Sequence, residues 1–419
     1  MFFKNFNSST GYSFNSEYER YNFNDITLHG VTLNRGKSDV FVSDDTEPLY
    51  VTELKSQIYN QFFPNTLSRK APILDISLPY TGHYYYSYNG IYFDADIGVG
   101  QKLIDDQHPN IKKMVENLIN TNVIARRESI TNDIMISIPE SDIKTPQDLS
   151  ALITGLANNA FPKTAPYKAF FSSSGAEAIE AAIKIACRNT HHKLIKLYGH
   201  QFEKKLMDEL KIKVNDEFNH PKDKEPIYNN YPFFFIDMKG AFHGRTLGAL
   251  SLTHVRPVHK RGYPLPLNVK HISFNGDVSE LTDIIDTRTL KDITLSNHNV
   301  SEIISNGRVP KELIAGLILE VYQGEGGYVI ADKQWINSIT KICRENQIPL
   351  IVDEVQTFAR TGKVFASEHF GIEPDIIAIS KASVMGVTLA SSSYAEALPK
   401  GWHSNTWICD NLFRNTCSR

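Results

Sequence analysis

Three short apolar runs in the second half of the chain each end at a polar residue that packing alone does not require. Short runs rich in β-branched residues and bounded by Pro or polar residues are typical of strands buried in a parallel sheet. The carboxyl ends of such strands are where open α/β sheets place their binding and catalytic groups. The pattern therefore predicts two acids and an amine at the strand ends of one sheet. The runs, with the residues that follow them, are Leu313–Leu319 with Glu320, Ile348–Val352 with Asp353, and Ile376–Ile379 with Lys381 after Ser380.

Helical periods separate these runs and others like them. Apolar residues recur at helical spacing after Ser174, and the stretch between the first two runs has the pattern of a helix. Strand, helix and strand in succession favour an α/β fold with a mostly parallel sheet. The further predicted strands are Lys168–Phe171 and Tyr231–Asp237, and the predicted helices include Pro146–Phe161 and Lys333–Asn346.

The first part of the chain has a different pattern. Residues 1–70 are rich in Asn, Ser, Tyr and Phe with weak periodicity, which predicts an arm or an irregular segment. Farther along, tyrosines flank Asn89 and Gly90, and Asn-Gly accepts the positive φ angles of a tight hairpin turn. Because no basic residues interleave with the tyrosines, packing across the hairpin is favoured over a platform for stacking bases.

Composition narrows the functional classes. The chain has 419 residues, of which 41% are hydrophobic and 22% charged, an ordinary globular balance. A net charge of −3 gives no electrostatic case for nucleic acid or an anionic membrane. No segment is long and apolar enough to span a bilayer, and the first twenty residues lack the apolar core of a secretory signal. Four scattered cysteines indicate neither a disulfide framework nor a metal site, so we expect a cytoplasmic protein.

An amine and a carboxylate at neighbouring strand ends are the groups that a pyridoxal phosphate enzyme needs. A lysine amine forms a Schiff base with the cofactor aldehyde. A carboxylate holds the pyridine nitrogen protonated, so that the ring can take up electrons. A single Lys or Asp after a strand more often just reaches solvent. The pairing of Lys381 with Asp353 is what favours this chemistry.

Two further segments could serve a phosphorylated cofactor and a carboxylate substrate. The turn Ser172–Ala178 joins a strand to a helix, so its free amides could bind an anion, although an ordinary serine N-cap is the commoner meaning. Phe242 and His243 offer flat faces that could stack on a heteroaromatic ring, and Arg245 offers a fork that matches a carboxylate. A loop with one core aromatic and one solvated arginine is the alternative.

The segment 190–230 looks like an insertion. It has the pattern of a charged amphipathic helix followed by a polar loop, and it contains His191, His192 and His200. A surface helix is favoured over a metal site because no recognisable ligand set is completed there. We therefore expect no metal ligands in this chain.

Taken together, these motifs resemble the class III aminotransferases, pyridoxal phosphate enzymes of fold type I. The resemblance covers about Tyr88 to Asp410 and is strongest over 168–184, 242–253 and 317–381. It implies an α/β fold with helices on both faces of a mostly parallel sheet, together with a small α+β domain. Among the members, the chain is most similar to the group that acts on 4-aminobutyrate, lysine and ornithine.

The resemblance also implies roles for individual residues. Lys381 corresponds to the Schiff-base lysine, Asp353 to the acid facing the pyridine nitrogen, and Gln356 to the neighbour of the 3-hydroxyl. Arg245 corresponds to an arginine that takes a substrate carboxylate, and Glu325 to a gating acid beside it. The run Asn405-Thr406-Trp407 implies a threonine that reaches the phosphate of a neighbouring subunit, hence a homodimer with shared active sites. The remaining positions expected at the cofactor are Ser174, Gly175 and Ala176 at the phosphate, Phe242 and His243 at the ring, and Glu320 as a supporting acid.

The chain also departs from the family pattern. DEVQTFARTG is one residue shorter than the family's DEVQTGFGRTG and loses both loop glycines, and a glycine-rich run after Lys381 is replaced by Ala382–Gly386. Members of the family continue for roughly 100 residues after the NTW run, so we expect the small domain to be incomplete at its C-terminal end. The expected organisation is an N-terminal arm and part of the small domain over 1–110, a large cofactor-binding domain over 111–400, and a truncated end over 401–419.

The functional prediction is an aminotransferase that moves the amino group of an ω-amino acid to a keto acid such as 2-oxoglutarate. Its partners would be pyridoxal 5'-phosphate, the two small-molecule substrates and a second copy of the chain, without nucleic acid or membrane. Two alternatives stay open: a truncated homologue that binds the cofactor without turnover, and an aminomutase or racemase of the same family.

Overall fold

The architecture comes from a computed structural model of the chain, in which residues 1–113 and 114–419 form two compact units. The residues that it describes are 26–28, 31–33, 84–87, 90–93, 113, 116, 146–162, 164–215, 226–288 and 313–398.

The first unit contains two antiparallel strand pairs among its described residues. The second pair confirms the predicted hairpin, with Tyr84 opposite Phe93, although Gly90 is not in the turn as predicted but begins the second strand opposite Ser87. The predicted segment 1–70 lies mostly outside the described residues. The strands are β1 (Ile26–Leu28), β2 (Val31–Leu33), β3 (Tyr84–Ser87) and β4 (Gly90–Phe93).

The second unit is built on a seven-stranded sheet with the order β5-β13-β12-β11-β8-β6-β7. Its neighbouring strands pair in parallel except at β13, which is antiparallel to both β12 and β5. A mostly parallel sheet is therefore confirmed, although β13 itself was not predicted. The strands are β5 (Tyr167–Ser172), β6 (Phe234–Met238), β7 (Asn268–Ile272), β8 (Ile314–Leu319), β11 (Leu350–Asp353), β12 (Ile376–Ile379) and β13 (Gly386–Ser391), and a small separate pair is β9 (Tyr322–Gln323) with β10 (Val329–Ile330).

Helices alternate with these strands. The helix predicted between β8 and β11 begins after Asp332, whose carboxylate accepts from the amides of Gln334 and Trp335 at 2.9 and 2.8 Å. That side chain satisfies two of the amides left free at a helix start. The helices are α1 (Pro146–Ala160), α2 (Gly175–Glu209), α3 (Leu247–Leu252), α4 (Ser279–Arg288), α5 (Lys333–Glu345) and α6 (Ser392–Ala395).

Helices cover both faces of the sheet. Along β12, Ile377 and Ile379 pack in the apolar cluster that contains α1, whereas Ile376 and Ala378 pack in the cluster that contains α2. Successive strand residues point to opposite faces, so α1 and α2 lie on opposite sides. Burial on both faces explains why the strand sequences are nearly continuous apolar runs instead of alternating ones.

The helix α2 is longer than the sequence predicted. It runs for 35 residues with a kink at Gly199, where φ is 77°, and so it extends into the segment interpreted as an insertion. Leu194 and Leu206 are fully buried, which ties both halves to the core. The charged helix predicted in this segment is therefore, as far as Glu209, the second part of α2 and not a separate element.

Candidate active site

The residues Asp353 and Lys381 lie at the same edge of the sheet. Asp353 is the last residue of β11, and its strand partner on the parallel neighbour β12 is Ala378, three residues before Lys381. After Ser380 the chain leaves the sheet through a short 3₁₀ turn that begins at Lys381 with a φ of 32°. The parallel register thus brings the two strand ends side by side, as expected from the sequence.

The amine of Lys381 is half-buried and donates a hydrogen bond to the Oε1 atom of Gln356. The pKa of Lys381 lies below its ordinary value, first because of burial and then because of the charge of Arg360. The carboxylates of Asp353 and Glu325 act in the opposite direction, so both are near enough to influence the amine. A lowered pKa increases the neutral fraction of a lysine, which is the form that acts as a nucleophile.

The carboxylate of Asp353 is buried and held at both oxygens. Its Oδ1 atom accepts from the amide of Val355 at 2.9 Å, and its Oδ2 atom lies 2.7 Å from Nδ1 of His243. The side chain is 5% exposed, so the carboxylate cannot rely on water for its hydrogen bonds. Its orientation is therefore fixed by the loop after β11 and by the histidine.

The turn between β5 and α2 meets both of these strand ends. A Cβ atom built on Gly175 would lie 2.8 Å from Cγ1 of Val355 and 3.3 Å from Cβ of Ser380. These distances are too short for a side chain, so only glycine permits the approach. The turn at 174–176 thus lies against the loops that carry Asp353 and Lys381, as the sequence-based proposal requires.

The serine of this turn is an N-cap, which was the commoner of the two meanings considered. Ser174 Oγ accepts from the amide of Glu177 at 3.2 Å, and the Glu177 carboxylate accepts from the amide of Ser173 at 2.7 Å. The pair resembles a capping box, but the Glu177 carboxylate accepts from the residue before the N-cap instead of from Ser174 itself. The first intrahelical bond runs from Ala178 to Ser174, so the amide groups before it, at positions 175 and 176, are at the helix start where anions bind.

The loop after β6 packs on the same turn. Gly244 has a φ of 128°, and a Cβ atom there would lie 2.7 Å from Cβ of Ala176. The amide of Phe242 donates to Oε2 of Glu320 at 3.0 Å, so the residue after β8 holds the loop in place. Burial raises the pKa of Glu320 to about 8, with the charge of His243 opposing the shift and that of Asp353 adding to it.

One expectation about this loop needs correction. His243 was predicted to offer a flat face, but its side chain has no exposed area and both ring nitrogens face carboxylates, at 2.7 Å to Asp353 and 3.2 Å to Asp237. A ring enclosed in this way cannot contact a ligand directly and can influence one only through the carboxylates that it contacts. The half-buried Phe242 keeps an accessible ring, whose nearest described aromatic neighbour is His259 at a centroid distance of 6.4 Å.

The residues expected at the substrate carboxylate lie nearer the surface. Arg245 is exposed, and its Nη2 atom is 3.3 Å from Nε2 of His259. The pKa of His259 lies below its ordinary value because of desolvation and then the charges of Arg245 and Arg256, whereas Glu325 raises it. A neutral imidazole can accept a hydrogen bond from Arg245, which orients the guanidinium. Glu325 is exposed and its charge acts on both His259 and Lys381.

Sequence reasoning missed three residues of this region. Asp237, His259 and Arg360 each contact or influence a predicted site residue, but none was assigned a role. Asp237 carried a detectable signal, since it is a carboxylate inside an apolar run like those that end at Glu320 and Asp353. The other two carried none, because their proximity arises from loops that fold back on the sheet edge.

Other predictions fall outside these residues. Thr406 and the NTW run lie beyond the described part of the chain. Within the described part, no group of three His, Cys, Asp or Glu side chains has the arrangement of a metal site. Among the same residues, none of the helices has the length and apolar character that crossing a membrane requires.

His191 and His200 lie 2.7 and 3.6 Å from the buried carboxylate of Glu203, so these histidines have a structural partner that the sequence did not indicate.

Comparisons with known proteins agree with this geometry. The family model for the class-III aminotransferases matches residues 80–416. An acetylornithine aminotransferase of Methanocaldococcus jannaschii is 31% identical over 326 residues, which are 75% of this chain and 61% of that protein. A protein of the same name from Archaeoglobus fulgidus is 32% identical over 243 residues, 57% of this chain and 47% of its own. The chain thus spans about half to six-tenths of the length of these relatives.

Solved structures show the same fold. An ornithine aminotransferase from Toxoplasma gondii superposes with a TM-score of 0.57 at 18% identity, covering 87% of this chain and 70% of that one. An (S)-enantioselective omega-transaminase from Thermomicrobium roseum superposes with a TM-score of 0.59 at 22% identity, covering 87% and 73%. Because the family match covers most of the chain and includes every described element of the predicted site, we conclude that the chain belongs to the class-III aminotransferase family.

Proposed function

We propose that the protein binds pyridoxal 5'-phosphate and transfers an amino group from an ω-amino acid or a related diamine to a keto acid. The observation that carries the proposal is the convergence of three elements at one sheet edge. Gly175 packs against Val355 and Ser380, which are close in the chain to Asp353 and Lys381 respectively. The charge of the buried Asp353 carboxylate acts on the amine of Lys381, which donates to Gln356 in the loop after Asp353. Each element matches a different part of the cofactor.

The residues present fit this cofactor. The start of α2 offers amides at positions 175 and 176 to a phosphate, and the glycine there lets the backbone come close. Asp353 is a buried carboxylate, which pairs well with a protonated ring nitrogen in a dry site. Phe242 supplies a half-buried aromatic face for the pyridine ring. Gln356 lies beside Lys381, where the ring hydroxyl is expected.

Each residue then has a defined task. When bound, pyridoxal phosphate supplies an aldehyde that reacts with amines and a ring that takes up electrons. Lys381 would hold the cofactor through its amine, and the same amine, when free, would accept a proton from the donor carbon and return it. Asp353 would pair with a protonated ring nitrogen, and its contact with His243 fixes the direction of the carboxylate. Glu320 holds the Phe242 loop through the amide hydrogen bond.

Arg245 is proposed to bind the carboxylate of the donor, and Glu325 to balance its charge when no carboxylate is present. The exposed guanidinium, oriented by His259, suits a ligand whose carboxylate is distant from the reacting amine. The relatives carry names such as acetylornithine aminotransferase, putrescine aminotransferase and succinylornithine transaminase. The donor class that we propose therefore includes ornithine derivatives, lysine, 4-aminobutyrate and diamines.

The proposal also includes a homodimer with shared sites, in which Thr406 of one copy reaches the phosphate bound by the other. It is supported by the likeness of the NTW run to that of the family. Size measurement by light scattering, together with the affinity of a Thr406→Ala variant for the cofactor, tests it. A monomer that retains full cofactor affinity and activity would contradict the shared site.

The main experiment follows cofactor and product separately. Purified protein is incubated with pyridoxal phosphate, reduced with borohydride and digested, and we expect the cofactor on Lys381. Lys381→Ala should lose this adduct, whereas Lys363→Ala, an exposed lysine in the same region, should retain it. A screen of the named donors with 2-oxoglutarate then measures glutamate. A protein that takes up no cofactor would overturn the proposal, and a labelled protein that forms product without consuming keto acid would favour the aminomutase or racemase.

A further inference from the structure

The buried carboxylate of Asp237 contacts His243, at the ring nitrogen that does not face Asp353. It lies on β6, a strand buried at all five positions, and its side chain has no exposed area. Its Oδ1 atom accepts from the amide of Met238 at 2.6 Å, which fixes the carboxylate against its own strand. Packing gives no reason for a carboxylate here, because the neighbouring positions of the strand are apolar.

The ring of His243 lies between this carboxylate and Asp353. Its Nε2 atom is 3.2 Å from Oδ1 of Asp237, and its Nδ1 atom is 2.7 Å from Oδ2 of Asp353. A neutral imidazole has one N–H group and one acceptor nitrogen, whereas an imidazolium has two N–H groups. If both carboxyl groups are ionised, both ring nitrogens must donate, and only the imidazolium has two N–H groups.

From this arrangement we infer that Asp237 is a positioning residue: it holds His243 doubly protonated and oriented so that Nδ1–H meets Asp353. Asp353 is then paired, through Oδ2, with an N–H group of a cation inside the buried site. The consequence for Asp353 as partner of the ring nitrogen rests on the proposed function, but the protonation of His243 does not. Asp237 has no contact of its own with the cofactor in this scheme.

The charges around His243 agree with the inference. Its pKa lies well above the ordinary value, because the charges and hydrogen bonds of Asp237 and Asp353 outweigh burial, which alone would lower it. Without a cation between them, two buried carboxylates would repel each other, and one would take up a proton. The imidazolium lets both stay charged, so removal of Asp237 changes the state of Asp353 through His243.

Other titratable groups face the same cluster. Glu320 approaches from the end of β8, and its raised pKa, about 8, leaves it mostly protonated at neutral pH. His271 on β7 lies 3.8 Å from Oδ2 of Asp237, but its Nε2 atom is 3.0 Å from the carbonyl of Leu252. Oδ2 of Asp237 is buried and has no hydrogen-bond partner among the described residues. The Asp237 carboxylate therefore exerts its effect mainly through Oδ1, the atom that contacts His243.

The direct test is nitrogen NMR of protein labelled at histidine, without cofactor. His243→Gln identifies the signal, and we expect both ring nitrogens of His243 to be protonated at pH 7.5 in the unsubstituted protein. Asp237→Asn keeps the shape of the side chain but removes its charge, so the signal should become that of a neutral ring. The control is Asp375→Asn, which alters a carboxylate at the start of β12 and should leave the His243 signal unchanged.

The second measurement is cofactor binding. We expect Asp237→Asn to weaken pyridoxal phosphate binding about 10- to 100-fold, by analogy with metal sites, where removing the partner that orients a ligating histidine has an effect of this size. A neutral His243 ring in the unsubstituted protein would overturn the inference even if the variant did not fold. A neutral ring in the variant with unchanged cofactor affinity would overturn the link to Asp353. An imidazolium that Asp237→Asn abolishes, in a protein that binds no cofactor, would support the pairing and refute the proposed function instead.

Discussion

Ala359 occupies a backbone conformation that favours glycine. Its φ is 58°, and it lies in the loop where DEVQTFARTG lacks the glycines of the family pattern. Its amide donates to the carbonyl of Val364 at 2.8 Å, which closes the loop and holds the conformation. The left-handed region costs a residue with a Cβ atom roughly 1–2 kcal/mol. The substitution Ala359→Gly removes that cost and adds roughly 0.5–1 kcal/mol of lost chain entropy.

The net prediction is a gain of about 0.75 kcal/mol in the free energy of unfolding, within a range of about 0–1.5 kcal/mol, since the Ala359 methyl group is exposed and little packing is lost. Urea unfolding of the cofactor-free protein measures it, with the slope checked for constancy. The control is Ala151→Gly at an exposed position within α1, where helical propensity predicts a loss of about 0.8–1 kcal/mol. If Ala359→Gly destabilises the protein as much as the control does, the loop is not strained and the reasoning is wrong.

Three further predictions concern the site and its support. Gly175→Ala should weaken cofactor uptake at least about tenfold, because the new Cβ atom would overlap the loop after β11. The control is Gly155→Ala, where the new Cβ atom meets open space and uptake should not change. Equal uptake in both variants would refute the close approach. Arg360→Met should raise the pKa of Lys381 by removing a like charge, as measured from the pH dependence of its acylation in cofactor-free protein; an unchanged or lower pKa would contradict this. Burial raises the pKa of Asp375 to about 6, so the folded state binds its proton more tightly, and stability should fall by roughly 2–3 kcal/mol as pH rises through 4 to 7. Asp375→Asn should lack this loss, and the same pH dependence in both proteins would argue against the shift.

The sheet and its functional edge could be predicted from sequence because their signals are local. Apolar runs of four to seven residues, followed by Glu320, by Asp353 and by Ser380 with Lys381, specify strands and their polar ends. A parallel sheet then brings these ends to one edge without further information. The predicted strand bounds differ from the observed ones by at most three residues, as for the strand that begins at Phe234 instead of Tyr231.

Features that depend on long-range packing were not predicted. The strand β13 follows the Lys381 turn without a turn signal of its own, and its antiparallel direction results from this tight connection to β12. The helix α2 continues through Gly199, which a sequence pattern treats as an interruption, because Leu194 and Leu206 on either side are buried in one core. The bond from Lys381 to Gln356 depends on side-chain conformations that no residue pattern encodes.

The cluster at the sheet edge explains why one histidine matters to several strands. Asp237, Glu320 and Asp353 come from β6, from the end of β8 and from β11, which are neighbours in the sheet. Three carboxyl groups so close together cannot all be charged in a dry site unless a cation is present. His243 supplies that cation, and the raised pKa of Glu320 removes the third charge. His243 thus places a cation between Asp237 and Asp353, and Asp353 lies at the position where the proposed chemistry requires a carboxylate.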